Sequence, residues 1–203
     1  MALSNFGTIS EVLEAYGIRY EDGVFVVPTS ATPGTLFLAE LQFSIENIDV
    51  YSSEGARTEL IISPILREIY KNYVETLAFW VQKPMTADAL LSGVPDYIFG
   101  TKSPLGKKVL GTPLVLIVEA KKNDFEQGWG QCLAELVAAQ IINRETAKPV
   151  YGIVTDGLLW RIGKLTEKVF VQDTGKYTTD STAQLFGAID FVLASSLSSD
   201  ATN

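Results

Sequence analysis

The sequence predicts an α/β protein, a mixed β-sheet with helices on its faces and a core order of αβββαβ. Two observations carry that prediction. Residues 114–120 form a nearly unbroken Leu/Val/Ile run, the pattern of a central strand buried on both faces. From Glu54 onward the chain reads helix, three strands, helix, strand, an order that packs helices against the faces of a mixed sheet. Composition agrees: 203 residues, 47% apolar and 20% charged, suit one folded domain with a sizeable core.

Along the chain, Thr8-Ile9-Ser10-Glu11 has capping-box spacing and Gly17 offers a stop, so Ser10 to Tyr16 reads as a short helix. Residues 23–27 read as a strand and 28–35 as a Pro/Gly/Thr loop. In 41–45, Leu, Phe and Ile alternate with Gln and Ser, which suggests a strand, with a helix as the other reading. Residues 54–72 have helical spacing, with Leu60, Ile61, Ile65, Leu66 and Ile69 on one broad face. Pro64 inside that stretch predicts a kink or a new start.

Residues 77–81 and 96–99 are the next strands, and the Gly/Pro/Lys-rich 100–112 a turn or extended hairpin before the run at 114–120. A long helix follows over 125–143. Residues 150–155, a turn at Asp156-Gly157 and residues 158–162 predict a hairpin, with 168–172 as an edge strand. Ser181 with Gln184 opens a last helix through about Leu193. The expected organisation is a single domain, 1–203. Within it, 1–53 is an extension packed on the core, 54–155 the core, 156–194 a C-terminal hairpin and helix, and 195–203 a frayed tail.

Several chemistries are excluded. There is no histidine, which removes Ser-His-Asp and Cys-His catalysis, His-ligated haem and HExxH zinc chemistry. One cysteine, Cys132, forms no internal disulfide framework and no Cys-rich zinc site; its apolar helical context reads as core. Trp80, Trp129 and Trp160 also read as core. The net charge of −8 argues against strong non-specific nucleic-acid binding. No apolar run is long enough to span a bilayer, and the first residues lack a basic n-region and a continuous apolar stretch. A cytoplasmic protein without a membrane partner is the expectation.

The chemistry concentrates at Pro95-Asp96 and Glu119-Ala120-Lys121. Glu119 and Lys121 stand two apart where the apolar strand emerges, so both side chains leave one face. If the strand beginning at Asp96 pairs with that strand as a hairpin, the two carboxylates meet. Two carboxylates beside one lysine repel each other unless a cation joins them, and Mg²⁺ or Mn²⁺ with water completing its shell makes such a site. The ammonium can then orient an attacking water and stabilise charge developing on a phosphate. The duller reading is a solvated strand end and a turn aspartate.

Pro95-Asp96, a gap of 22 residues and Glu119-Ala120-Lys121, on a helix–three strands–helix–strand order, resemble the PD-(D/E)xK nucleases of restriction-endonuclease-like fold. The likeness covers residues 54–155, about half the chain. ELIISPILREI, VPDYIFG, LVLIVEAKK and VYGIVTDGLLWRIGKL look most like nuclease segments of restriction-enzyme subunits and their small relatives. The resemblance implies Mg²⁺- or Mn²⁺-dependent hydrolysis of a DNA phosphodiester, with Asp96 and Glu119 as metal ligands and Lys121 at the water.

It also implies a glutamate from the first helix. Glu59, beside the Leu60-Ile61 pair, is favoured, with Glu54 close behind and Glu68 facing solvent. A helix glutamine is implied as well, and Gln131 is the match, contacting a phosphate or a catalytic carboxylate; Gln127, Gln131 and Glu135 form a polar stripe that reads equally as solvated. Lys102, Lys107 and Lys108 in the preceding loop, with Lys122, are candidates for a DNA backbone, and equally a solvated hairpin. The acidic bulk predicts weak DNA binding. A homodimer would suit double-strand cleavage. The competing reading is a non-catalytic nucleic-acid or protein-binding module that kept the fold.

Overall fold

A computed structural model describes residues 6–87, 91–122 and 124–198. It is a mixed α/β structure built on one large, mostly antiparallel sheet. The helices are α1 (Ile9–Tyr16), α2 (Thr35–Asn47), α3 (Glu54–Arg57), α4 (Ser63–Tyr70), α5 (Phe125–Asn143) and α6 (Thr182–Ser198). The strands are β1 (Arg19–Gly23), β2 (Leu77–Val81), β3 (Met85–Thr86), β4 (Ser92–Gly93), β5 (Tyr97–Thr101), β6 (Leu114–Ala120), β7 (Val150–Thr155), β8 (Leu159–Thr166), β9 (Val169–Asp173) and β10 (Tyr177–Thr178). The sheet order is β2-β5-β6-β7-β8-β9-β1, with β10 also on β8, while β3 and β4 pair apart. The pairs β6–β7 and β9–β1 are parallel and the others antiparallel.

Strand β6 sits mid-sheet, and all seven of its residues are buried. Alternation sends its side chains into two cores. Leu116, Val118 and Ala120 join Tyr97, Phe99, Ile61, Ile65, Leu66 and Ile189 on the face covered by α2, α4 and α6. Ile117 joins Ile98, Val154, Leu133 and Leu136 on the face covered by α5 and α1. Fully burying one such aliphatic side chain contributes roughly 1.5–3 kcal/mol, so the two-sided core anchors β6 firmly.

Pro64 acts as the sequence suggests, in a particular way. Its missing N–H cannot close an ordinary helical bond, and a π turn over Thr58–Ile62 precedes it, with Ser63 N–H reaching back to the Thr58 carbonyl. α3, this turn and α4 follow one another without a break before a 3₁₀ turn at Lys71–Tyr73.

Four expectations are corrected. The first strand is Arg19–Gly23, not 23–27: Phe25 and Val26 give their N–H groups to Asp173 Oδ1 instead of to a ladder. Residues 41–45 belong to helix α2, where Phe37 and Leu41, one turn apart, face inward and Phe43 stays outside. β9 is not an edge strand, because β1 pairs alongside it. α6 continues to Ser198, held by buried Val192, Leu193 and Ser196, so the expected fraying from 195 does not begin there; residues 199–203 lie outside the described residues.

Candidate active site

The antiparallel register of β5 on β6, Tyr97 opposite Val118, carries Asp96 to a place beside Glu119 at the end of the hairpin. The Ala120 N–H donates to Asp96 Oδ2 at 2.8 Å, tying the aspartate directly to the β6 end. Asp96 shares strand parity with Ile98, and Glu119 and Lys121 share it with Ile117. Their common face is the one under α5. The Lys121 ammonium stands 3.8 Å from Glu119 Oε2. Its backbone N–H donates to the Thr155 carbonyl at 2.8 Å, which fixes the chain just past β6 to the end of β7. Asp96, Glu119 and Lys121 are thus brought together.

Helix α5 closes the site from above. Asp124 caps it, its side chain accepting from Gln127 N–H. Gly128 lies on the Lys121 stem: a Cβ there would stand 2.6 Å from Val154 Cγ1 and 3.0 Å from Lys121 Cγ. Gln131 and Glu135 follow on the same helix face. The expected solvated stripe therefore turns inward along its length, with Gln127 exposed, Gln131 half-buried and Glu135 only 2% exposed. The Glu135 and Glu119 carboxyl groups lie within hydrogen-bonding reach of each other. Among the described residues, Glu135 Oε2 and Gln131 Oε1 are buried without a hydrogen-bond partner.

The electrostatics follow from this crowding. Burial raises the Asp96 carboxyl above its ordinary value, opposed by the Ala120 N–H and Lys121 and reinforced by Glu54. Burial, then the charge of Asp96, pushes Glu119 up to about 7, against the pull of Glu135 and Lys121. Burial and the charge of Glu119 raise Glu135 well above the carboxylate range. Asp96 and Glu119 face one ammonium, and acceptor oxygens of Glu135 and Gln131 are left over, so the cluster is short of donors and of positive charge.

That deficit suits a hard divalent cation with oxygen ligands. Among the described residues no group of three or more Asp, Glu or Cys is arranged to hold a metal ion by side chains alone. Magnesium does not demand one, because it keeps several waters and uses one or two carboxylates plus substrate phosphate oxygens. The residues present fit such an ion.

Glu59 is not brought to the carboxylate pair. It is exposed and lines a groove with Phe37, Leu41 and Pro64, and its charge is felt by Tyr97, whose ring lies on the other sheet face. The first-helix glutamate whose charge reaches Asp96 is Glu54, in the opening turn of α3. Arg57 holds that turn in place. Its guanidinium donates to the Asp156 and Tyr51 carbonyls at 2.8 and 3.2 Å and pairs with Asp156 Oδ2 at 3.7 Å. Lys122 Nζ adds a bond to the Ser52 carbonyl at 2.8 Å, so it serves as a clamp on this segment beside the site.

Lys102, Lys107 and Lys108 are exposed and lie off the other end of β5 from Asp96. Six extended residues put Lys102 roughly 20 Å from the carboxylates. Lys102 and Lys107 line a separate hollow with Tyr70 and Val109.

The sequence offers Glu54 second to Glu59 and places Glu135 in a polar stripe, and it gives no sign of Arg57 beside the site. The capping serine Ser53 ahead of Glu54 and the four-residue spacing of Gln131 and Glu135 were the available signals. Cys132, Trp129 and Trp160 are buried in the core, whereas Trp80, on the outer strand β2, is half-buried beneath Lys83. No family model and no curated protein matches the chain.

Proposed function

We propose that the protein is a Mg²⁺- or Mn²⁺-dependent nuclease of the PD-(D/E)xK kind that hydrolyses DNA phosphodiesters. The observation that carries this reading is the convergence of Asp96, Glu119 and Lys121 at the end of the β5–β6 hairpin under α5. The order β2-β5-β6-β7 in the sheet, with α4 before and α5 between β6 and β7, supports the restriction-endonuclease-like arrangement. Asp96 and Glu119 would hold the ion, and a bound dication supplies charge that polarises the scissile phosphate and acidifies an attacking water. Lys121, held at its backbone by Thr155 and at its stem by Gly128, aims its ammonium beside Glu119. There it hydrogen-bonds the attacking water and stabilises the extra negative charge of the phosphate transition state. Glu54 adds negative charge at the rim.

The alternative, a binding module that kept the fold without catalysis, draws on the net charge of −8 and on the distance between the loop lysines and the carboxylates. A calorimetric titration with Mn²⁺ separates the two. The nuclease reading expects one saturable site that Asp96→Ala abolishes, because a dication held by one remaining carboxylate binds poorly. Binding that survives Asp96→Ala, or no binding at all, contradicts it. No helix among the described residues is long and apolar enough to cross a membrane.

A further inference from the structure

Glu135 is unusual among the acidic side chains. It lies in the middle of α5, 2% exposed, over the β6 end. Its carboxyl group lies within hydrogen-bonding reach of the Glu119 carboxyl, and its Oε2 finds no donor among the described residues. One turn earlier on the same face, Gln131 Oε1 is buried and equally without a donor. An unmade hydrogen bond to a buried acceptor costs roughly 1–3 kcal/mol, and these two acceptors belong to residues one turn apart on one helix face. Nothing in the core requires them: Leu133, Leu136 and Val137 already supply the apolar packing of α5. A leucine at 135 would fill the space without an unsatisfied oxygen.

Acceptors that lack donors call for a ligand that brings donors. The waters of a hydrated dication do so, since coordination sharpens their O–H groups as donors and Mg²⁺ and Mn²⁺ keep several of them. Lys121 does not fill this role, because its ammonium is directed to Glu119 at 3.8 Å.

We propose that Glu135 is a positioning residue for the cation, fixing the Glu119 carboxylate by its hydrogen bond and accepting, together with Gln131, from the ion's coordinated water. The inference rests on the metal-dependent reading given above and assigns that reading a residue on α5 rather than on the strands. Outer partners of this kind are commonly worth 10–100-fold in metal affinity. Glu135 touches neither the scissile phosphate nor the ion.

The test measures Mn²⁺ binding, by electron paramagnetic resonance of the free ion and by calorimetry, on the full chain without DNA. Glu135→Leu keeps the bulk and removes both hydrogen-bonding functions; its Kd should rise about 10–100-fold. Glu135→Gln keeps one donor and one acceptor and should stay within about threefold of the unaltered protein, a rescue that a packing role alone would not give. Gln131→Leu, at a half-buried position that accepts an apolar side chain, should weaken binding about tenfold, and it carries the test if Glu135→Leu does not fold. Unaltered affinity in Glu135→Leu and Gln131→Leu, with Asp96→Ala still abolishing binding, overturns this inference and leaves the nuclease reading standing. No Mn²⁺ binding by the unaltered protein overturns both.

Discussion

Replacing Glu119 by glutamine should stabilise the metal-free protein at pH 8 and leave it nearly unchanged at pH 5. Burial and the charge of Asp96 hold Glu119 at about 7 rather than 4.5, so between those values the folded chain keeps a proton that the unfolded chain releases. The contribution is therefore fully present below pH 4.5, and it is lost as pH rises to 7 and beyond. At about 1.4 kcal/mol per pKa unit, ionising Glu119 costs the folded state on the order of 3 kcal/mol by pH 8. Glutamine fills the same volume and never ionises, so it escapes that cost. For a chain of this size the gain corresponds to roughly 6–12 °C in Tm. Thermal melts followed by circular dichroism in EDTA, at pH 5, 6, 7 and 8, read the difference directly. The Glu119→Gln minus unaltered difference should grow across that range. A difference of the same sign and size at pH 5 and pH 8 would refute the argument, because it would mean that Glu119 is not a strained buried carboxylate.

Two further outcomes follow from the packing and the charge layout. Gly128→Ala puts a methyl 2.6 Å from Val154 Cγ1 and against the Lys121 stem; it should lower stability by about 1–3 kcal/mol in urea melts and displace the lysine, reducing any cleavage more than it reduces Mn²⁺ binding. Changing Lys102, Lys107 and Lys108 together to glutamine should leave Mn²⁺ affinity untouched, since they lie at the far end of β5. If they hold DNA phosphates, the slope of log binding constant against log salt should shrink by about 3, measured by fluorescence anisotropy.

The parts of the fold that the sequence disclosed are those with one dominant physical cause. Residues 114–120 read as a doubly covered strand because burial on both faces leaves no polar position, and β6 has those bounds. Residues 125–143 and 150–155 were equally plain. The failures come where tertiary contacts outweigh local pattern. Arg19–Gly23 is polar and mostly exposed, yet it pairs because β9 offers an open edge; the apolar residues just after it instead serve a carboxylate cap on Asp173. In α2, the alternation of Leu41, Phe43 and Ile45 imitates a strand, while only Phe37 and Leu41 are buried.

The candidate site shows the same division. Asp96, Glu119 and Lys121 were legible because strand register alone sets their meeting. That the charge of Glu54 reaches Asp96 was not, because it depends on a tertiary contact, Arg57 tying α3 to the Asp156 turn. Glu135 was not, because a polar stripe on a helix looks solvated until the sheet covers it.

The central claim is hydrolysis of DNA by the Asp96–Glu119–Lys121 cluster, and the most direct measurement is cleavage by the purified protein. Supercoiled, linear, branched and single-stranded DNA would be incubated with Mg²⁺ or Mn²⁺, with EDTA as the control. Lys121→Ala would be run beside the unaltered chain at matched Mn²⁺ occupancy. Slow, EDTA-sensitive cleavage of at least one DNA form is expected, lost in Lys121→Ala although that variant still binds Mn²⁺, because the ammonium acts on the water and the transition state rather than on the ion. Cleavage of no DNA form despite a filled Mn²⁺ site, or cleavage that persists in Lys121→Ala, would contradict the claim.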